Sequence, residues 1–425
     1  MKNVSPYNFV WIFWVLVGLF SCKEERVFPE VNILSVGEGT TFDYGDTIQL
    51  RVRVDKADEG VLSDILKGDQ TTGLPSEIID REGNEFLIFF YHTDKYLETG
   101  TYSIRISAFN GDNRGSDFRQ IQLNEFPLRY RGVALLSGEG NQRVLARVDS
   151  IGQTITLALS GDFNYVACNG AFDQVLAAPE RSGKLAAFGF KSLNLEYELP
   201  NPKPEGTQQY RNLHTFQRKT YAFLDDGRAR ALNRGGGFES QFTLQDPYVV
   251  HFADYIAEDE MVVAAKERTA NNWRIFIVNP ASGFIKKQTF VKPGVVGISY
   301  DGNGNTYITY PVNNESVVAR YSHQSGLVTE LYMASDETPR DILVRNGVGF
   351  LATDQGLYNF ATTGGSPLQQ RFDFGVDNLV YEAQQAEVYF TAGNVVYKTG
   401  LSSGVNRYVA AASEQVMDLA IMYNK

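Results

Sequence analysis

His92, His214, His251 and His323 are the four imidazoles of this 425-residue chain, and none stands at an i, i+4 or other short spacing from another. The paired donors that a zinc site needs on one element are therefore missing, and with only two cysteines no metal or cofactor is expected. Asp301-Gly302-Asn303-Gly304-Asn305 places acid and amide oxygens at alternate positions, as the start of a calcium loop does. An EF-hand needs Gly at its sixth position and Glu at its twelfth, where this chain has Thr306 and Val312, so a hairpin turn is expected instead. Gly235-Gly236-Gly237 lacks the Lys-Ser/Thr of a phosphate loop and precedes a strand-like segment, which makes it a flexible turn. There is no Gly-x-Ser-x-Gly elbow. Cys168, in the run Tyr165-Val166-Ala167-Cys168, reads as a small buried hydrophobe with no His or Asp pattern beside it to make it a nucleophile. Carboxylates are plentiful, but sequence spacing does not show that two meet across a channel. Catalysis is thus unsupported, and binding is the chemistry left to place.

The elements that must position a binding site are strands. The chain holds 28 Phe, 23 Tyr and 39 Gly, a composition of β-strands and turns, and its 43% hydrophobic and 21% charged residues are those of an ordinary globular protein with room for two domains. Fifty Asp and Glu against 39 Lys and Arg give a net charge of -11, which repels a phosphate backbone, so nucleic acid is not an expected partner.

Residues 28–125 read as short strands. Thr47 to Val54 and Thr101 to Ala108 alternate apolar and polar residues, and Glu85 to Tyr91 is more continuously apolar, as in a half-buried antiparallel sandwich. Tyr44-Gly45-Asp46 before one strand and Gly100-Thr101-Tyr102-Ser103-Ile104 at another resemble the immunoglobulin-like or PKD-like modules of surface lipoproteins, here without a Cys-Trp-Cys core. Such a module implies a spacer.

From residue 131 to 425 the pattern repeats at a period of roughly 35 to 45 residues, enough for a four-stranded sheet per unit. Inner strands are expected to begin near Tyr165, Asn212, Val249, Val295, Asp341, Asn378 and Met417. One unit is explicit: Val295 to Tyr300, Tyr307 to Tyr310, Val317 to Tyr321 and Val328 to Leu331, joined by polar turns. The echoes at Gly347 to Leu351, Gly356 to Tyr358, Glu387 to Phe390 and Asn394 to Tyr397 resemble NHL-type and lactonase-like propeller blades. The expected fold is all-β, a sandwich followed by a seven-bladed propeller, with six or eight blades or a sandwich array left open. The lone strand Met417 to Tyr423 is expected to complete the first blade and so remove the open sheet edges.

In propellers generally, the loops before the inner strands and those between second and third strands crowd one face, where a funnel can enclose a ligand. The first loop set nominates Tyr165, Tyr210, Arg211, Tyr248, Arg340, Asp341, Asp377 and Asp418; the second nominates Arg228, Arg268, Trp273 and Tyr310. His251, early in an inner strand where side chains can face the channel, is a further candidate, though a hydrogen-bonded structural histidine is the favoured reading. Trp273 ends the polar stretch Lys266 to Asn272 and offers either a stacking surface or a blade-packing ring.

At the N-terminus, Phe9 to Phe20 is an apolar run too short to span a bilayer, which needs roughly 20 helical residues, and suits a signal-peptide core. It ends in Leu19-Phe20-Ser21-Cys22, which resembles a bacterial lipoprotein lipobox, and Lys23-Glu24-Glu25 resembles the export signal of surface-exposed lipoproteins of Bacteroidota. The resemblance implies that residues 1–21 are cleaved and that Cys22 carries the lipid. Residues 22–27 would then form a tether to the outer membrane, facing the extracellular side. Two or three acyl chains, at about 0.8 kcal/mol per buried methylene, make a stable anchor. A short transmembrane anchor and a periplasm-facing lipoprotein are the alternatives. Lipoproteins of similar architecture sit beside TonB-dependent transporters, which implies capture of a glycan, peptide, corrinoid or siderophore. A propeller polysaccharide lyase or glycosidase, and an adhesive protein-binding surface, are the competing classes.

Overall fold

The computed structural model describes residues 27–58, 60–81, 84–216, 218–257, 259–363 and 367–424. The expected signal peptide, Cys22 and Lys23-Glu24-Glu25 lie outside the described residues. All assigned elements among those described are strands, and no helix there is long and apolar enough to cross a membrane. The chain divides into two compact units, Met1–Pro127 and Leu128–Lys425.

The first unit holds two sheets. One runs in the order Glu30–Ile33, Thr47–Asp55, Glu85–Tyr91, Ser76–Arg81; the other runs Thr40–Phe42, Asn113–Leu123, Gly100–Asn110, Val61–Lys67, Gln70–Thr71. Thr40–Phe42 lies parallel to Asn113–Leu123, while the other pairs are antiparallel. The alternation read in Thr47–Asp55 has its cause here: Ile48, Leu50, Val52 and Val54 point into a common core with Ile104, Ile106 and Ile121, and the intervening residues face solvent. The Tyr102 hydroxyl, on a side chain 1% exposed, donates to the Glu98 carbonyl at 2.8 Å and pins the start of its strand.

The second unit contains seven four-stranded antiparallel sheets among the described residues. Six are consecutive in sequence. Their first strands are Phe163–Asn169, Tyr210–Phe216, Tyr248–Ala257, Gly297–Tyr300, Pro339–Arg345 and Leu379–Glu382, and each begins within two residues of its expected start. The seventh sheet is formed by Arg129–Glu139, Gln142–Asp149 and Thr154–Ser160 with the C-terminal strand Val416–Asn424 added beside Arg129–Glu139. The first strands touch one another in turn, and Val416–Asn424 touches both Leu379–Glu382 and Phe163–Asn169, which closes the ring. Because every sheet packs on two neighbours, its middle strands are buried on both faces and read as continuous apolar runs, such as Met261 to Ala265.

A repeated latch ties each inner strand to the next. Asn212 Nδ2 donates to the His251 carbonyl at 2.9 Å, and Asp254 Oδ2 accepts the Tyr300 N–H at 2.8 Å. Ser299 Oγ accepts the Val344 N–H at 2.9 Å, Asp341 Oδ2 that of Leu379 at 2.8 Å, and Asp418 Oδ2 that of Val166 at 2.7 Å. Asn378 Nδ2 reaches the Met417 carbonyl at 3.4 Å, and Asn169 Nδ2 reaches the Arg218 carbonyl at 2.8 Å. Gly297 eases this approach, since a Cβ there would lie 3.0 Å from Asp341 Oδ1 and 3.1 Å from the Ile342 nitrogen, and these neighbours would have to give by a few tenths of an ångström. At the other end, Arg345 crosses from its own sheet to pair with Asp254 at 3.3 Å and donates to Ser299 Oγ at 2.9 Å.

Three of the outer hairpins share a pattern: Asn279-Pro280-Ala281-Ser282-Gly283-Phe284, Ser322-His323-Gln324-Ser325-Gly326-Leu327 and Gly400-Leu401-Ser402-Ser403-Gly404-Val405. Each turns on a positive-φ glycine and leaves its apolar residue exposed.

Candidate functional site

The inner strands carry bulges near their starts. In Tyr210–Phe216 the pairing skips Arg211, and in Tyr248–Ala257 it skips His251. The skipped residue is released from the ladder and its side chain re-aimed, a use of bulges common beside binding sites. The same skip falls at Asn164, Arg340 and Met417 in three other inner strands. Because Tyr210–Phe216 and Tyr248–Ala257 are neighbours, Arg211 and His251 meet in one cavity of about 190 Å³, lined by Arg211, Asp225, Val249, His251, Lys266, Glu267 and Arg268. It opens on the face where the inner strands begin.

The turn residues come from the second and third strands of the same two sheets. Asp225 follows Lys219–Leu224, and Gly227, at φ +88°, lets that turn pass under its neighbour, since a Cβ would lie 3.0 Å from the Tyr248 carbonyl oxygen. Lys266 and Glu267 emerge where the buried run Met261 to Ala265 ends, and Arg268 follows in the turn before Trp273–Val278.

Most of these charges are already engaged. Asp225 receives Arg211 Nε at 2.7 Å and Lys203 Nζ at 2.5 Å. Glu267 accepts Asn272 Nδ2 at 2.8 Å. Arg268 contacts Asp246 at 3.3 Å and donates to the Asp226 carbonyl. Burial, reinforced by Arg211 and Lys266 and opposed by Asp225, lowers the His251 imidazole to about 4, so it is neutral at pH 7.

The other nominated residues fall into three groups. Tyr210, Tyr248, Trp273 and Tyr310 pack in the cores, 1 to 8% exposed, and do not form aromatic walls. Trp273 lies 5.0 Å from the His251 ring and supports it from behind, its indole N–H donating to Asn271 Oδ1 at 3.2 Å; Tyr310 donates to Glu330 at 2.9 Å. Asp341 and Asp418 are the latches described above, and burial raises both carboxyls to about 7 against the two backbone N–H groups each accepts. Arg228 is tied to Asp226 with Nε at 2.7 Å from Oδ2, Arg340 is exposed, and Asp377 and Tyr165 are half-buried outside the cavity lining.

Of the residues nominated from the sequence, Arg211, His251 and Arg268 line this cavity; Asp225, Lys266 and Glu267 line it without having been nominated. Lys266 and Glu267 open the polar stretch from which Trp273 was chosen, and the signal was the point where the apolar run stops. The remaining motifs carry structure. Asp301 Oδ1 accepts the N–H groups of Asn303 and Asn305 at 2.7 and 3.0 Å, which makes the Asp301 segment a self-satisfied turn. The triple glycine is held by Asn233 Oδ1, which accepts from Gly235 and Gly237, and is a fixed turn, not a flexible one. Cys168 is a buried free thiol pushed far up by burial. Among the described residues no cluster of three or more His, Cys, Asp or Glu side chains could hold a metal ion.

No family model matches the sequence, and no curated protein matches it. The chain is similar in structure to a protein from Lactobacillus plantarum, at 14% identity and a TM-score of 0.51, covering 70% of this chain and 100% of that one. The WD40 β-propeller domain of Doa1 aligns at 12% identity and TM-score 0.47, covering 67% of this chain and 94% of that chain. A quinoprotein alcohol dehydrogenase-like protein from Bacteroides thetaiotaomicron aligns at 10% and 0.42, covering 92% and 96%. At 14% identity the likeness to the first of these is one of fold alone. The closed ring of four-stranded sheets makes Leu128–Lys425 a β-propeller.

Proposed function

We propose that this protein is a lipid-anchored capture protein whose propeller face binds a small ligand or oligomer and passes it to a TonB-dependent transporter of the outer membrane. The observation that carries the binding reading is the convergence of Arg211 and His251, each released by a bulge, with Lys266 and Arg268 in one cavity on the face where the inner strands begin. The two carboxylates there, Asp225 and Glu267, are tied to neighbouring side chains, which favours binding over acid–base turnover. On this reading the seven sheets are seven blades closed by the C-terminal strand, and the first unit is an immunoglobulin-like spacer. Its two sheet orders match the ABED and GFC arrangement, and the Tyr102 hydroxyl bond four residues back supports a tyrosine corner.

Anchoring and delivery rest on the sequence resemblance at Leu19 to Glu25. The test is isolation of the native protein from gently solubilised outer membranes beside a Cys22→Ala variant. Capture and delivery predict acyl labelling of the native chain and a co-purifying TonB-dependent transporter, both lost in the variant. Labelling of Cys22→Ala, or recovery of surface polymers with no transporter, would overturn the anchor or the delivery step respectively.

A further inference from the structure

We infer that the cavity between the Tyr210–Phe216 and Tyr248–Ala257 sheets is a receptor for one singly charged carboxylate, with Lys266 as its counter-ion. The inference rests on the capture reading and names its ligand class: a small organic acid or one acidic unit of a longer chain.

Three cations and two carboxylates line the cavity, in a chain whose net charge is -11. Arg211 and Lys203 share Asp225, which leaves one positive charge over; Glu267, bonded only to the neutral Asn272 amide, keeps the negative charge that offsets it; and Arg268 pairs with Asp246. The Lys266 ammonium is left over. The residue is half-buried and lines the cavity, and its ammonium makes no ion pair with any described residue. A cation that lines the cavity without a partner offers an anionic ligand a charge-assisted hydrogen bond, and the walls supply that ligand with further donors. Arg211 spends Nε and one terminal nitrogen on Asp225 and keeps N–H groups free, since a guanidinium carries five. His251 is neutral, its ring nitrogens bond no described residue, and it can give one N–H to an oxyanion without adding charge.

One uncompensated positive charge matches one negative charge, so a carboxylate fits better than a dianionic phosphate. The cavity, of about 190 Å³ and partly open, has room for a small acid or for one acidic unit of a longer chain. Trp273 is closed off in the core, so recognition here is by charge and hydrogen bonding, with no exposed ring to stack upon.

The test uses the full chain with isotope-labelled histidines, whose four side chains give four resolvable probes. Acetate and glucuronate are titrated against their neutral counterparts acetamide and glucose. The expected result is saturable movement of the His251 resonances by the two acids and not by the neutral molecules. His251 protonation should shift upward from about 4 as the anion offsets the field of Arg211 and Lys266. In Lys266→Gln the acid affinity should fall tenfold or more while the other three histidine signals stay in place. The inference is overturned if no acid moves His251, if the neutral molecules bind as tightly, or if Lys266→Gln binds acids unchanged. Equal binding of glucose and glucuronate would remove the charge-based class yet leave capture standing. Silence from all four probes would remove the class, and capture would then be judged on what the native protein carries.

Discussion

Tyr102 illustrates how much a single side chain settles in this molecule. Its ring is buried among Ile104, Ile121 and Leu123, and its hydroxyl reaches the Glu98 carbonyl. Tyr102→Phe keeps the ring and removes the bond, so urea unfolding of the first unit should show a loss of about 1 kcal/mol, the usual net worth of one intramolecular hydrogen bond. An unchanged midpoint would contradict the pinning role. At the cavity, Arg211 and Arg268 could be nominated from loop position, and His251 from its place early in an inner strand. The burial of Tyr210, Tyr248 and Tyr310 was not legible, because strand side chains alternate and a shift of one residue moves a side chain to the opposite face; for Trp273 a blade-packing ring was one of the two readings. The bulges at Arg211 and His251 impose just such a shift, and nothing in the local residue types announces them. Lys266 was missed for a related reason: the last residue of a strand and the first of a turn look alike in sequence.

The latches belong to the inner strands as elements. Asp341 and Asp418 each accept their own next N–H and one from the neighbouring inner strand, and burial raises both to about 7 from 3.8. With the folded value above the unfolded one, the folded state holds more protons between those limits, so this contribution to stability is full below about pH 4 and is lost as pH rises through about 7. An Asp341→Asn/Asp418→Asn double variant lacks that dependence. Its destabilisation relative to the unmodified chain, read from denaturant midpoints, should be larger at pH 5 than at pH 8. Equal destabilisation at the two pH values would mean that both groups stay ionised in the fold. Strand existence was readable from alternation and from apolar runs, and the inner strands start within two residues of their expected positions. The latches were unreadable because each joins residues some 40 or more positions apart, or in one case 252.

For the molecule as a whole, closure is the decisive feature. Val416–Asn424 covers the edge of Arg129–Glu139, joining the end of the chain to the start of the propeller. Removing residues 415–425 would leave that strand as an open edge and unseat the Asp418 latch. Such a truncation should elute as aggregate in size-exclusion chromatography and lose amide protection in the sheet that contains Gln142–Asp149. A monomeric, fully protected product would show that the ring stands without its last strand. The period of the repeat made a propeller legible at this scale, as did the lone C-terminal strand. The occupant of its face was not, since a fold accommodates many ligands and the cavity's charges come from three separate stretches of chain.

The most direct test of propeller-face capture is to purify the full chain from the cells that make it, denature it, and identify the small molecules released by mass spectrometry. An Arg211→Ala/Lys266→Ala variant is carried in parallel. The account predicts an acid-bearing compound released from the native protein and absent from the variant. A native protein that releases nothing, or a compound that the variant retains equally, would contradict it.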